Sequence, residues 1–165
     1  MTLDEKILYL QKAHAPFGKR VIRDVDSHGN DFCELIYPNE KNPRFPITLS
    51  VSDDGCIISV GQISNVTGKA PITVEQASNA IDDIISDKII FVLGYHGEDD
   101  VGEGKPYLTE IFALTGNDDD MQEDYDRFIE KISTPIKGLK RKLTRLKGRF
   151  IITNFSGSID QTIER

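Results

Sequence analysis

Apolar and polar positions alternate along this chain with two distinct periods, and the changes of period mark its elements. Near the start, Leu3, Ile7 and Leu10 recur at helical spacing behind Thr2 and Glu5, which have the spacing of a capping box. Pro16 and Gly18 close that helix. The period then drops to two. "RVIRDVD" and "DFCELIY" read as strands joined by the turn "SHGN", and "RFPITLSVS" and "CIISVG" read as a second hairpin around "DDG". Pro46 cannot donate to a ladder, so it predicts an edge position or a strand start.

Helical spacing returns after the loop "SNVTGKAP". Thr73 and Gln76 form a second capping box, and Val74, Ala77, Ile81, Ile84 and Ile85 line one face. "KIIFVLGY" is an unbroken apolar run too short for a helix, which predicts a central strand. "HGEDDVGEGKP" is an acidic, glycine-rich loop, and "YLTEIFAL" a strand able to pair back across it. From Tyr125 through Phe128, Ile129, Ile132, Ile136, Leu139 and Leu143 to Leu146 the steps are three or four throughout. Pro135 interrupts that stripe, so the pattern predicts two consecutive helices or one kinked helix. "GRFIITNF" is a further strand, and the tail "SGSIDQTIER" reads as one closing turn.

The expected fold is α+β: a single domain over residues 1–165 with a mostly antiparallel sheet of about six to seven strands. An N-terminal helix, a central helix and a long broken C-terminal helix complete it. A chain of 165 residues can bury a core without disulfides or metals. No repeat, linker or shift of composition marks a second domain.

Charge changes the picture next. The formal net charge is -7, with a sequence pI near 5.0. Such a field repels phosphate and suits a basic partner protein. Against it stands "KGLKRKLTRLKGR", where Lys137, Lys140, Arg141, Lys142, Arg145, Lys147 and Arg149 meet no acid. Acids precede these bases along the stripe, beginning at Asp118, Asp119 and Asp120, which is the order a helix dipole favours. Seven bases exceed what a dipole needs. Contact with nucleic acid, with anionic lipid, or with acidic surface in the same chain or another subunit are the functional readings.

Candidate chemistry is sparse. His28 and His96 each lie beside a glycine and carboxylates (Asp26 and Asp31; Glu98 and Asp99), suitable ligand types in no standard metal spacing. Ordinary turns look the same. His14 sits where a helix ends and a cation helps. "VGEGKP" fails as a phosphate loop, since Asp99 and Pro106 stand where glycine and a hydroxyl residue belong. "NDDDMQEDYD" lacks the glycine and glutamate of a calcium loop. Cys33 and Cys56 sit in apolar strand-like runs and read as reduced, buried residues. The acidic N-terminus leading straight into a helix does not read as a signal peptide, and no apolar run reaches membrane-spanning length, so the expected location is the cytoplasm.

The expectation is therefore a non-enzymatic protein-binding protein that needs no cofactor or metal and masks a basic partner. In size and charge it is similar to immunity proteins, which neutralise toxins; no motif carries that likeness. Glu98, Asp99, Asp100 and Glu103 are the first candidates for the partner surface, with Asp118, Asp119 and Asp120 second. One alternative is a dimeric secretion-chaperone-like protein, similar in element order. The other is a regulator touching nucleic acid through the basic helix 136–149. The oligomeric state stays open, a homodimer included.

Overall fold

A computed structural model describes residues 1–16, 21–95, 106, 108–113 and 149–164. The chain divides into two compact units, 1–85 and 86–165.

Unit 1 opens with α1 (Leu3–Ala13), whose capping box between Thr2 and Glu5 is formed as the sequence predicts. Four strands follow: β1 (Val21–Val25), β2 (Asp31–Tyr37), β3 (Ile47–Ser52) and β4 (Gly55–Val60). They form an antiparallel sheet in the order β1-β2-β3-β4. α2 (Val74–Ile85) closes the unit, with Thr73 and Gln76 exchanging backbone-to-side-chain hydrogen bonds at its start. Pro46 directly precedes β3, where its missing N–H costs no ladder bond.

The register decides which side chains meet. Cys33, Val51 and Cys56 form one row across β2, β3 and β4, and Leu35, Leu49 and Ile58 form the next. All six are fully buried. Each large apolar side chain in these rows contributes about 1.5–3 kcal/mol through burial. α1 packs over β2 and β3, and α2 packs on β4 and α1, supplying Ile7, Leu10, Ala77, Ile81 and Ile84 to the same core. The reverse face carries Thr48, Ser50 and Ser59 with Phe32, Ile36 and Ile57, all half-buried.

Specific polar bonds fix the edges of this unit. The Lys6 ammonium donates to the carbonyls of Ser52 and Asp53, each at 2.8 Å, and ties α1 to the β3–β4 turn. The returning chain covers the outer side of β4: Cys56 and Ile72 exchange N–H···O bonds of 2.8 and 2.9 Å, and Val66 N–H donates to the Ile58 carbonyl at 2.8 Å.

Unit 2 holds a second antiparallel sheet in the order β6-β5-β7-β8, from β5 (Ile89–Tyr95), β6 (Leu108–Ala113), β7 (Arg149–Thr153) and β8 (Gln161–Glu164). β5 lies between β6 and β7, and Ile90 through Leu93 are buried without alternation, as the unbroken apolar run predicts for a central strand. The 154–160 connection is built on its own polar bonds. Asn154 Nδ2 donates to Ser158 Oγ at 2.8 Å, Ser156 N–H donates to the Asp87 carboxylate at 2.8 Å, and the Thr153 hydroxyl donates to Asp160.

The fold is thus α+β with two antiparallel sheets and two helices among the described residues. In place of one sheet of about six to seven strands there are two sheets of four. The tail expected to make a closing turn instead contributes β8, paired with β7 from Ile152↔Gln161 to Arg149↔Glu164. Arg149, expected at the end of a basic helix, opens β7 opposite Tyr95. The long C-terminal helix expected between the acidic run and "KGLKRKLTRLKG" lies outside the described residues.

A Cβ at Gly55 (φ +139°) would lie 2.6 Å from the Ile72 carbonyl oxygen, whereas one at Gly29 (φ +85°) meets nothing within 4 Å. Gly55→Ala should therefore cost about 3 kcal/mol or more and Gly29→Ala about 1 kcal/mol, measured by urea unfolding. Cys33 and Cys56 are free and buried, and lie two strands apart, roughly 10 Å, too far for a disulfide. Burial raises both thiols, Cys56 to about 11. Neither should react with a thiol reagent at neutral pH until the chain is unfolded. Since the folded Cys56 holds its proton more tightly than the unfolded one, the stability linked to it should fall as pH rises from about 9 to about 11.

Candidate functional site

In an antiparallel meander, the first and third turns lie at the same end of the sheet. Unit 1 obeys this rule, and both turns are rich in aspartate. Asp24, Phe32, Ser52 and Gly55 stand in one row, so the turn after β1 and the turn after β3 lie side by side. Asp24, Asp26, Asp31, Asp53 and Asp54 gather there, all exposed. The start of α1 adds Asp4 and Glu5, also exposed, because Lys6 anchors that helix to Ser52 and Asp53. Seven carboxylates thus meet two cations at this end, Lys6 and Arg23. Lys6 spends its donors on backbone carbonyls, and Arg23 is paired with Asp4.

Several of these carboxylates also hold backbone in place. Asp26 accepts from the N–H groups of His28 and Asn30 at 2.8 and 2.9 Å and from Asn30 Nδ2 at 3.1 Å. The Asn30 bonds, with help from His28, hold its carboxyl below the ordinary range. The capping bonds to Thr2 lower Glu5 in the same way. Asp24 accepts from the N–H of Val25 at 2.8 Å. The Asp4 carboxylate beside it raises the Arg23 guanidinium. This end is therefore pre-formed and negative.

A second cluster joins the two helices. The His14 ring is buried, with Nε2 3.1 Å from Ser78 Oγ and Nδ1 3.8 Å from Asp82 Oδ1. The order hydroxyl, imidazole, carboxylate matches a nucleophilic relay. In such a relay the hydroxyl faces a cleft and the carboxylate is shielded from water. Here Ser78 is 7% exposed, whereas the Asp82 side chain is 64% exposed. In this arrangement the ring ties α1 to α2. It also does more than the helix-end cation expected of His14, since it caps α1 through its own N–H to Leu10 while its side chain enters the core.

Among the sequence candidates, Glu98, Asp99, Asp100, Glu103, Asp118, Asp119 and Asp120 lie outside the described residues, as do Lys137, Lys140, Arg141, Lys142, Arg145 and Lys147. Arg149 is half-buried in β7. His28 sits in the β1–β2 turn with its N–H on Asp26, and His96 lies outside the described residues. No group of three or more His, Cys, Asp or Glu side chains among the described residues is arranged to hold a metal ion. No helix among them is long and apolar enough to cross a membrane. The chain matches no family model, no curated protein and no solved structure.

The lowered carboxyls set a pH dependence. Glu5 and Asp26 are held down in the folded state, so their contribution is complete above the unfolded pKa of about 4 and is lost as pH falls through the folded values. The double variant Glu5→Gln, Asp26→Asn should flatten the fall of urea midpoints below pH ~4 while leaving the neutral-to-alkaline part of the profile unchanged in shape.

Proposed function

We propose that this is a non-enzymatic, cytoplasmic binding protein whose acidic surface captures and masks a basic partner protein, in the manner of an immunity protein neutralising a toxin. The observation that carries this reading is the end of the unit 1 sheet, where seven exposed carboxylates face solvent and both local cations are already engaged. Charges that converge within a Debye length of about 8–10 Å act together on an approaching protein. They raise its rate of capture and favour cationic over neutral partners. Their rigidity helps as well, because carboxylates held by hairpin and helix caps lose little freedom on binding.

The chain as a whole supports the same sign of partner, with a formal net charge of -7. Glu98, Asp99, Asp100 and Glu103 form a second acidic segment proposed for the partner surface. The segment 137–149 is not assigned to capture in this reading.

The test is a pull-down from the native organism at low and high salt. It compares the wild-type chain with an Asp31→Lys, Asp53→Lys, Asp54→Lys variant and with a variant reversed at Glu98, Asp99, Asp100 and Glu103. Those three aspartates are chosen because Asp26 and Asp24 hold backbone and Asp4 holds Arg23. The expected result is a basic protein retained by the wild type, released by salt, and lost from the first variant. Capture of nucleic acid that survives both variants and disappears on charge reversal at Lys140, Arg141 and Arg145 would overturn the proposal.

A further inference from the structure

We propose that the basic partner engages unit 1 by strand addition, laying an extended cationic segment along the outer side of β1. This inference rests on the reading that the chain captures a basic protein. It adds the mode of capture and the surface that carries it.

The β1–β2 ladder decides which backbone groups of β1 face outward. Asp26 N–H donates to the Asn30 carbonyl at 2.9 Å, so that pair bonds across the hairpin. Bonded and non-bonded pairs alternate in an antiparallel ladder. Asp24 and Ile22 therefore bond to β2, while Val21, Arg23 and Val25 turn their N–H and C=O groups outward. The bond from Val25 N–H to Asp24 Oδ1 at 2.8 Å confirms the assignment, since that N–H is not spent on β2. Among the described residues no backbone group pairs with this outward row, whereas the opposite edge, β4, is bonded by the returning chain at Val60, Ile58 and Cys56.

Charge selects the occupant. A second copy of the chain in symmetric antiparallel pairing would bring the same acids, Asp24 and Asp26, to this edge, between two molecules that each carry -7. A cationic segment meets Asp24 and Asp26 on one face, and on the other Arg23 is already neutralised by Asp4. Asp24 then has a double role. Without a partner its carboxylate covers the outward N–H of Val25, one of the ways an edge is guarded. A Lys or Arg beside it offers the carboxylate a charged donor and frees that N–H for the incoming strand. The preferred segment alternates, with cations on the Asp24 face and apolar residues on the Val25 face, where Val25 is 53% exposed.

The probe is the peptide acetyl-KVKVKVKV-amide, with acetyl-EVEVEVEV-amide as a control of equal strand propensity and opposite charge. Amide exchange by NMR on the wild-type chain should show new protection at Val21, Arg23 and Val25 with the lysine peptide and none with the glutamate peptide. Arg23→Pro removes one outward N–H and leaves the β1–β2 bonds of Ile22 and Asp24 intact. Arg23→Ala removes the same side chain and keeps the N–H. The proline variant should bind the lysine peptide at least ~10-fold more weakly than the alanine variant. Equal binding by both variants, with no new protection at those amides, overturns strand addition while leaving capture by surface charge standing. No lysine-peptide binding, together with loss of the wild-type pull-down, overturns both readings. If the proline variant does not fold, the wild-type exchange pattern decides alone.

Discussion

A four-stranded antiparallel meander exposes two faces, two turn ends and two edges, and stability depends on hiding one face completely. Unit 1 does this with the paired rows Cys33–Val51–Cys56 and Leu35–Leu49–Ile58 under α1 and α2. Everything else in the unit follows from that burial. The alternation of the strands sends Thr48, Ser50 and Ser59 to the reverse face. The up-and-down order puts the β1–β2 and β3–β4 turns at one end. The return of the chain along β4 closes that edge and leaves β1 as the outer strand. The acidic end is thus a by-product of topology, made into a coherent surface because the residues in both turns are aspartates.

Much of unit 1 was legible in the sequence. Capping boxes at Thr2–Glu5 and Thr73–Gln76, turns at "SHGN" and "DDG", and the apolar alternation between them each name a local geometry that the structure contains. The apolar run at Ile89–Tyr95 was legible for the same reason. What could not be read were relations between elements. Nothing local distinguishes one sheet from two, and the boundary between Ile85 and Ser86 carries no glycine, proline or shift of charge. Ile163 is one apolar residue among polar ones, too faint a pattern to signal the strand that pairs with β7. Arg149 belongs both to a basic run and to a strand, and the ladder with Tyr95 and Glu164 decides between them.

The candidate surface shows the same division. Asp53 and Asp54 read locally as turn residues, which they are, and their contribution to a shared field exists only once the register places them beside the β1–β2 turn. His14 is the converse case. Its position at a helix end suggested only a cation suited to the helix dipole, yet the ring reaches Ser78 and Asp82 of α2 and works as a tie between helices. Local sequence reports the backbone role of such residues well. Long-range electrostatics and side-chain partnerships need the fold.

The central claim is that the acidic end of unit 1 is the surface that meets a basic protein. The most direct measurement is an NMR titration of the isotope-labelled full chain with the captured partner, following each backbone amide. The account predicts that the largest shifts cluster at Asp24, Asp31, Asp53 and Asp54 and shrink as salt is raised. Shifts confined to the segment 137–149, with that end of the sheet unmoved, would contradict it.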